Sequence, residues 1–92
     1  MTYRILEPRF PLGRTVGTSA VIALGIDLTR YLFRHQCGDW GDLCDEDKQA
    51  NDNALVQGGR ILSSYRLPDE QKIFVITESD RTSTCVMLSE EY

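Results

Sequence analysis

A chain of 92 residues with 41% hydrophobic and 26% charged residues has the composition of one ordinary globular domain, neither disordered nor large enough for two cores. The longest apolar stretch, Ala20–Ile26, is broken by Gly25 and falls far short of the roughly 20 residues of a membrane span. Net charge is −4, but residues 1–38 carry +3 and the remainder −7, so the two halves differ in sign.

Residues 1–12 form a lead-in segment. Met1 to Glu7 lack the long apolar region and small-residue cleavage site of a secretory leader, so a cytoplasmic protein is expected. Pro8 and Pro11 bracket Phe10, and Arg14–Thr18 reads as a short strand from its β-branched residues. Thr18 or Ser19 is placed to cap a brief helical turn over Ala20–Leu24, which Gly25 stops. Asp27 is expected to cap a second helix over Leu28–Cys37, with Leu28, Tyr31, Leu32 and His35 on one face and Gly38 as terminator.

After the tight Gly38-Asp39-Trp40-Gly41 connection, Asp45-Glu46-Asp47 opens a third helix running to about Gln57 and closed by Gly58-Gly59. Its apolar side is thin, made of Ala50, Ala54, Leu55 and Val56, and the two alanines permit close approach to a neighbour. From Arg60 the periodicity changes to about 2. Strands are expected over Arg60–Leu67, Lys72–Glu78 and Thr82–Leu88, with turns at Pro68–Gln71 and Ser79–Arg81. Residues 13–59 then supply a short strand and helices, and residues 60–92 an antiparallel meander. The fold class expected is α+β: two to three short helices on one face of a small antiparallel sheet ending in a three-stranded meander.

Two constellations concentrate chemically versatile side chains. In the first, His35 with Asp39 has the residue types of a base and its orienting partner, and Trp40 those of a stacking surface. The structural alternative is a cationic histidine at a helix C-terminus bonded to Asp39, with Trp40 buried beneath the turn. The second is Thr77-Glu78-Ser79-Asp80-Arg81 with Thr82 and Thr84 at a strand–turn–strand junction, where the carboxylates of Glu78 and Asp80 suit a metal or acid/base work and the Arg81 guanidinium an anion or a carboxylate. Turn geometry alone also favours Asp at such a place.

Cys37, Cys44 and Cys85 form an odd set without a CxxC pair, consistent with reduced thiols. A zinc set of Cys37, Cys44, His35 and Asp39 matches no familiar spacing, so no metal or cofactor is expected. Phosphate-loop, HExxH, GxSxG and dinucleotide motifs are absent from the chain.

Acidity peaks where Asp39, Asp42, Asp45, Glu46, Asp47 and Asp52 face a single Lys48. Such a stretch repels phosphate backbones and attracts basic protein surfaces, though acidic residues also favour a helix N-terminus without any partner. Asp39, Trp40, Asp42, Asp45, Glu46 and Asp47 are therefore the expected binding residues. Direct nucleic-acid binding is not expected, because the arginines before residue 38 are few and scattered.

Several segments, namely His35, Gly38–Leu43, Glu46–Lys48, Arg60–Ser63, Tyr65, Ile76–Glu78, Asp80–Arg81 and Glu90–Tyr92, resemble a family of small plasmid and mobile-element proteins. Members are termed plasmid-related, and often type I restriction endonuclease subunit M. The resemblance covers residues 13–92, with Gly38-Asp39-Trp40-Gly41-Asp42-Leu43 its most specific part. It implies a mobile-element accessory protein and supplies no catalytic residue. A methyltransferase subunit needs a cofactor domain of well over about 100 residues, which this chain lacks. Two functions are thus expected: a non-catalytic interaction module, with homo-oligomers allowed, acting on a host defence or nucleic-acid-handling protein; or a small hydrolase or nuclease-like enzyme using His35/Asp39 or Glu78/Asp80.

Overall fold

The computed structural model describes residues 7–92, and the reading of Met1 to Leu6 as free of a leader lies outside them. Along the chain come β1 (Arg14–Gly17), α1 (Ser19–Ile22), α2 (Thr29–Gln36), α3 (Asp45–Gln57), β2 (Ile61–Arg66), β3 (Lys72–Thr77), β4 (Ser83–Leu88) and a closing 3-10 turn at Ser89–Glu91. The sheet order is β1-β4-β3-β2. Strands β2, β3 and β4 form the expected antiparallel meander, while β1 joins β4 in parallel, so the sheet as a whole is mixed. The connection from β1 to β4 runs through three helices and two strands, long enough for the crossover that parallel neighbours require.

Local chemistry sets each boundary. The Thr18 hydroxyl accepts from the Val21 amide at 3.3 Å and caps α1. Gly17 lets that helix sit down on the strand, since a Cβ there would lie 2.9 Å from Ile22 Cδ1 and 3.2 Å from Val21 Cγ1. At the start of α2, Asp27 accepts from the Thr29 amide at 3.0 Å, but Leu28 occupies the cap position, which shortens the helix by a residue at each end relative to expectation. Three acidic residues fill the first turn of α3, where the helix dipole favours them, and Gly58 ends it.

The inner sheet face divides in two. Toward one end Tyr65, Ile73, Val75, Val86 and Leu88 pack with Leu67 against Val21 of α1 and Tyr31 of α2, flanked by Leu24, Leu28 and Leu32. Toward the other, Phe10, Trp40, Ala54 and Ile61 form a second cluster. Helix α3 buries Asn51 and Ala54, whereas Ala50 and Val56 are exposed, so its buried side is rotated from the all-apolar side read in the sequence. The reason is a polar one: Asn51 donates to the Leu62 carbonyl at 2.7 Å and accepts from the Leu62 amide at 3.1 Å, which satisfies the outward-facing edge of β2.

Candidate functional site

His35 sits in the last turn of α2 and is fully buried. Its Nδ1 lies 2.6 Å from Ser63 Oγ and its Nε2 2.9 Å from Thr77 Oγ1. Thr77 Oγ1 lies 2.7 Å from Thr84 Oγ1, and Thr84 in turn donates to the Leu12 carbonyl at 2.7 Å. The last bond orients the whole chain. Thr84 has spent its proton on Leu12, so it accepts from Thr77; Thr77 then accepts from His35 Nε2–H, which leaves Nδ1 to accept from Ser63. A neutral imidazole in this chain carries its proton on Nε2. Burial, and secondarily the positive charge of Arg81, push its pKa down to about 4. The cationic histidine of the structural alternative is thus replaced by a neutral one.

Asp39 is not its partner. The Asp39 carboxylate accepts from Arg34 Nε at 2.7 Å and from the Gly41 amide at 3.1 Å. Partial burial works against its charge, yet the Arg34 guanidinium and the Gly41 N–H hold the carboxyl below its ordinary range. The Arg34 guanidinium also lies over the Tyr65 ring, 4.5 Å from its centroid, while the Tyr65 hydroxyl donates to the Asp39 carbonyl at 2.5 Å. Arg34, Asp39 and Tyr65 accordingly fasten the end of α2 to β2.

Trp40 is buried at 5% exposure, its ring 6.3 Å from Phe10 and 6.0 Å from His35, with Nε1–H donating to Asp52 at 3.1 Å. It has no face free for stacking on a ligand. The backbone around it pairs with β2: Ser64 N–H donates to the Trp40 carbonyl at 3.1 Å, and Asp42 N–H to the Ser64 carbonyl at 2.6 Å. Gly41 makes this approach at a positive φ of 75°, where an added Cβ would stand 2.1 Å from the Ser64 carbonyl oxygen. The Gly38–Leu43 segment therefore covers a sheet edge. Its Asp42 carboxylate lies 3.2 Å from Lys72 Nζ and 3.3 Å from Arg66, and the Lys72 bond chiefly holds its carboxyl below the ordinary range.

The second constellation is also dispersed into local contacts. Glu78 pairs with Arg60 at 3.5 Å, and Asp80 accepts from the Thr82 hydroxyl at 2.6 Å and its amide at 3.0 Å. Arg81, at φ 61°, donates to the Gly59 carbonyl at 2.5 Å and to Ala54 at 3.1 Å. It neutralises the C-terminal carbonyls of α3 instead of waiting for an anion. Three surface grooves, beside Glu70–Lys72 and Leu88–Glu90, between Leu43 and Leu62, and beside Leu24 and Pro68, include none of His35, Asp39, Glu78 or Asp80 in their walls.

Among the described residues no group of three or more His, Cys, Asp or Glu side chains could hold a metal ion, so Cys37, Cys44, His35 and Asp39 are not gathered into a site. All three cysteines are unpaired. Burial pushes the Cys85 thiol pKa up, and the charges of Glu91 and Glu78 add to it, which makes that sulfur a poor nucleophile.

What remains uncommitted is the first turn of α3. Asp45, Glu46 and Asp47 are exposed and make no ion pair or side-chain hydrogen bond among the described residues. Asp47 also borders a groove of about 210 Å³ lined by Leu43, Ala50, Asn51 and Leu62. The acidic stretch is thus split: Asp39, Asp42 and Asp52 hold the fold together, and Asp45, Glu46 and Asp47 face outward. Thr77 and Thr84 of the second constellation thus join His35 of the first rather than Glu78 and Asp80, and Ser63 is the relay residue that sequence reasoning missed; a polar side chain in phase with Ile61 and Tyr65 was the available signal.

No protein-family model, no curated protein and no solved structure matches this chain. Among the described residues no helix is long and apolar enough to cross a membrane.

Proposed function

We propose that the protein is a non-catalytic interaction module that binds a basic protein segment through the first turn of α3. The observation that carries this reading is the division of the carboxylates. Every candidate acid or base of the two constellations is engaged in holding a turn, a helix end or a strand, while Asp45, Glu46 and Asp47 are exposed and have no ion-pair or side-chain hydrogen-bond partner among the described residues. A cationic segment with an apolar residue fits this surface, because Leu43, Ala50 and Leu62 line the groove that Asp47 borders. From the resemblance of residues 13–92 to mobile-element accessory proteins we further propose a host defence or nucleic-acid-handling protein as partner, met in the cytoplasm. The acidic face disfavours direct contact with a phosphate backbone.

The test compares capture from host lysate by the wild-type chain and by a variant carrying Asp45→Asn, Glu46→Gln and Asp47→Asn. Capture by the wild type that is lost in the variant, and weakened by added salt, is expected. Equal capture by both would remove α3 from the interaction.

A further inference from the structure

The two edges of the sheet are treated differently. The β2 edge is closed: Asn51 bonds both backbone groups of Leu62, and the Trp40–Asp42 backbone bonds both groups of Ser64. The β1 edge is paired with no strand other than β4 among the described residues. Arg14 N–H donates to the Thr82 carbonyl at 2.9 Å and Thr18 N–H to the Val86 carbonyl at 3.0 Å, so in a parallel ladder Arg14, Val16 and Thr18 direct their backbone groups toward β4. Thr15 and Gly17 consequently direct theirs outward, and neither amide has a partner among the described residues.

We propose that two copies of the chain pair antiparallel along this edge, about a two-fold axis at Val16, to make one continuous sheet from the two four-stranded ones. The sequence of β1 is self-complementary in that register. Thr15 of one copy stands opposite Gly17 of the other, and each such pair exchanges two backbone hydrogen bonds, while the two Val16 residues meet in the close, non-bonded position between them.

Three further features fit a second copy of this chain. Val16 is 45% exposed on one side of the strand and Ile22, packed beside Gly17, is 59% exposed on the other, so apolar side chains flank the free edge above and below. The same register sets Arg14, which has no ion-pair partner among the described residues, opposite Thr18 of the other copy. Thr18 holds Glu91 at 2.8 Å, so a guanidinium meets a carboxylate across the axis on both sides. Finally, α3 with Asp45, Glu46 and Asp47 lies at the β2 edge, three strand spacings or roughly 14 Å away across the sheet, so the dimer keeps its two acidic helices at opposite ends. This association is independent of the α3 reading and leaves that surface open.

Light scattering and sedimentation of the purified chain at sub-millimolar concentration, with amide hydrogen exchange on the same samples, test the proposal. The wild type is expected at twice the 10.5 kDa chain mass, with the Thr15 and Gly17 amides protected when concentrated and released on dilution. Val16→Lys sets two cations face to face at the axis, and Thr15→Pro removes an outward N–H that the chain itself does not use. Both are expected to run at 10.5 kDa with the wild-type circular dichroism spectrum. A wild type that stays monomeric, or a dimer whose Thr15 and Gly17 amides exchange freely, would overturn the edge pairing whether or not the variants fold.

Discussion

The two ends of the inner sheet face solve the same burial problem with different chemistry. Around Ile73, Val75, Val86 and Leu88 the space beneath α1 and α2 is filled with aliphatic side chains and two tyrosines. Around His35 it is filled with a relay of hydrogen bonds through Ser63, Thr77 and Thr84, walled by Phe10 and Trp40. Apolar packing fixes volume and tolerates small rearrangements, whereas a relay has one consistent proton arrangement and fixes orientation as well. No buried side-chain nitrogen or oxygen among the described residues lacks a hydrogen-bond partner, so the polar end is complete and does not require a ligand to finish it.

The largest effect is expected at the wall of the polar end. Trp40→Ala removes the ring that covers His35 and Phe10, and releases Asp52 from its indole partner. A loss of about 3–5 kcal/mol is expected by analogy with other buried aromatic truncations, enough to unfold much of a domain this small. Thermal melts of variant and wild type measure it, and a shift of only a degree or so would show that the ring contributes little to the fold.

Acid distinguishes the two ends next. His35 titrates near 6.5 when the chain is unfolded and is pushed down to about 4 when folded. Between those values the unfolded chain holds the extra proton, so stability is full above pH 6.5 and declines as pH falls toward 4. The decline from about pH 7 to pH 4.5 is on the order of 2–3 kcal/mol. Denaturant titrations at the two pH values read it directly. His35→Gln keeps a neutral amide between Ser63 and Thr77 and is expected to lack this limb; an unchanged limb in the variant would assign it to other groups.

A smaller and more local effect is expected from Thr77→Val. The two side chains have nearly the same shape, but valine cannot accept from His35 Nε2–H or donate to Thr84. An unsatisfied buried donor costs about 1–3 kcal/mol. Equilibrium unfolding measures that loss, and proton exchange at the imidazole, followed by NMR, should accelerate in the same variant.

These differences also explain which parts of the fold were legible in the sequence. Strand alternation from Ile61 to Leu88 and the glycine-bounded α3 were readable because burial imposes a period on apolar residues. The polar end was harder to read. His35 was visible as a singular residue, but Ser63, Thr77 and Thr84, polar residues in phase with the apolar face of their strands, gain a partner only when the register aligns them beneath it. Asn51 was hidden for the same reason, since a polar residue on a thin helix face carries no sign that it will bond a strand edge. The Gly38–Leu43 segment stood out as a candidate site because it is rich in unusual residues; pairing with β2 and covering the core account for its Gly41, Trp40 and Asp39 instead. Its carboxylates could be separated into inward and outward sets only with the partners Arg34, Arg66 and Lys72 in place.

The smallest effect should come from the apolar end. Ile73 is fully buried and sits on the central strand β3, opposite Tyr65 on β2 and Leu88 on β4. Ile73→Val deletes one methylene and keeps the β-branched shape that suits the strand, so neighbouring aliphatic side chains can close part of the space. A loss of about 0.5–1.5 kcal/mol is expected, below that of Thr77→Val although the same face of the same strand is altered. Because the cluster around Ile73 contains no carboxylate and no histidine, the loss should be equal above and below the His35 transition. Denaturant unfolding of the variant at the two pH values measures both claims. A cost that grew in acid would mean that the two ends of the core are coupled through β3, and that aliphatic packing around Ile73 helps to hold His35 in its neutral form.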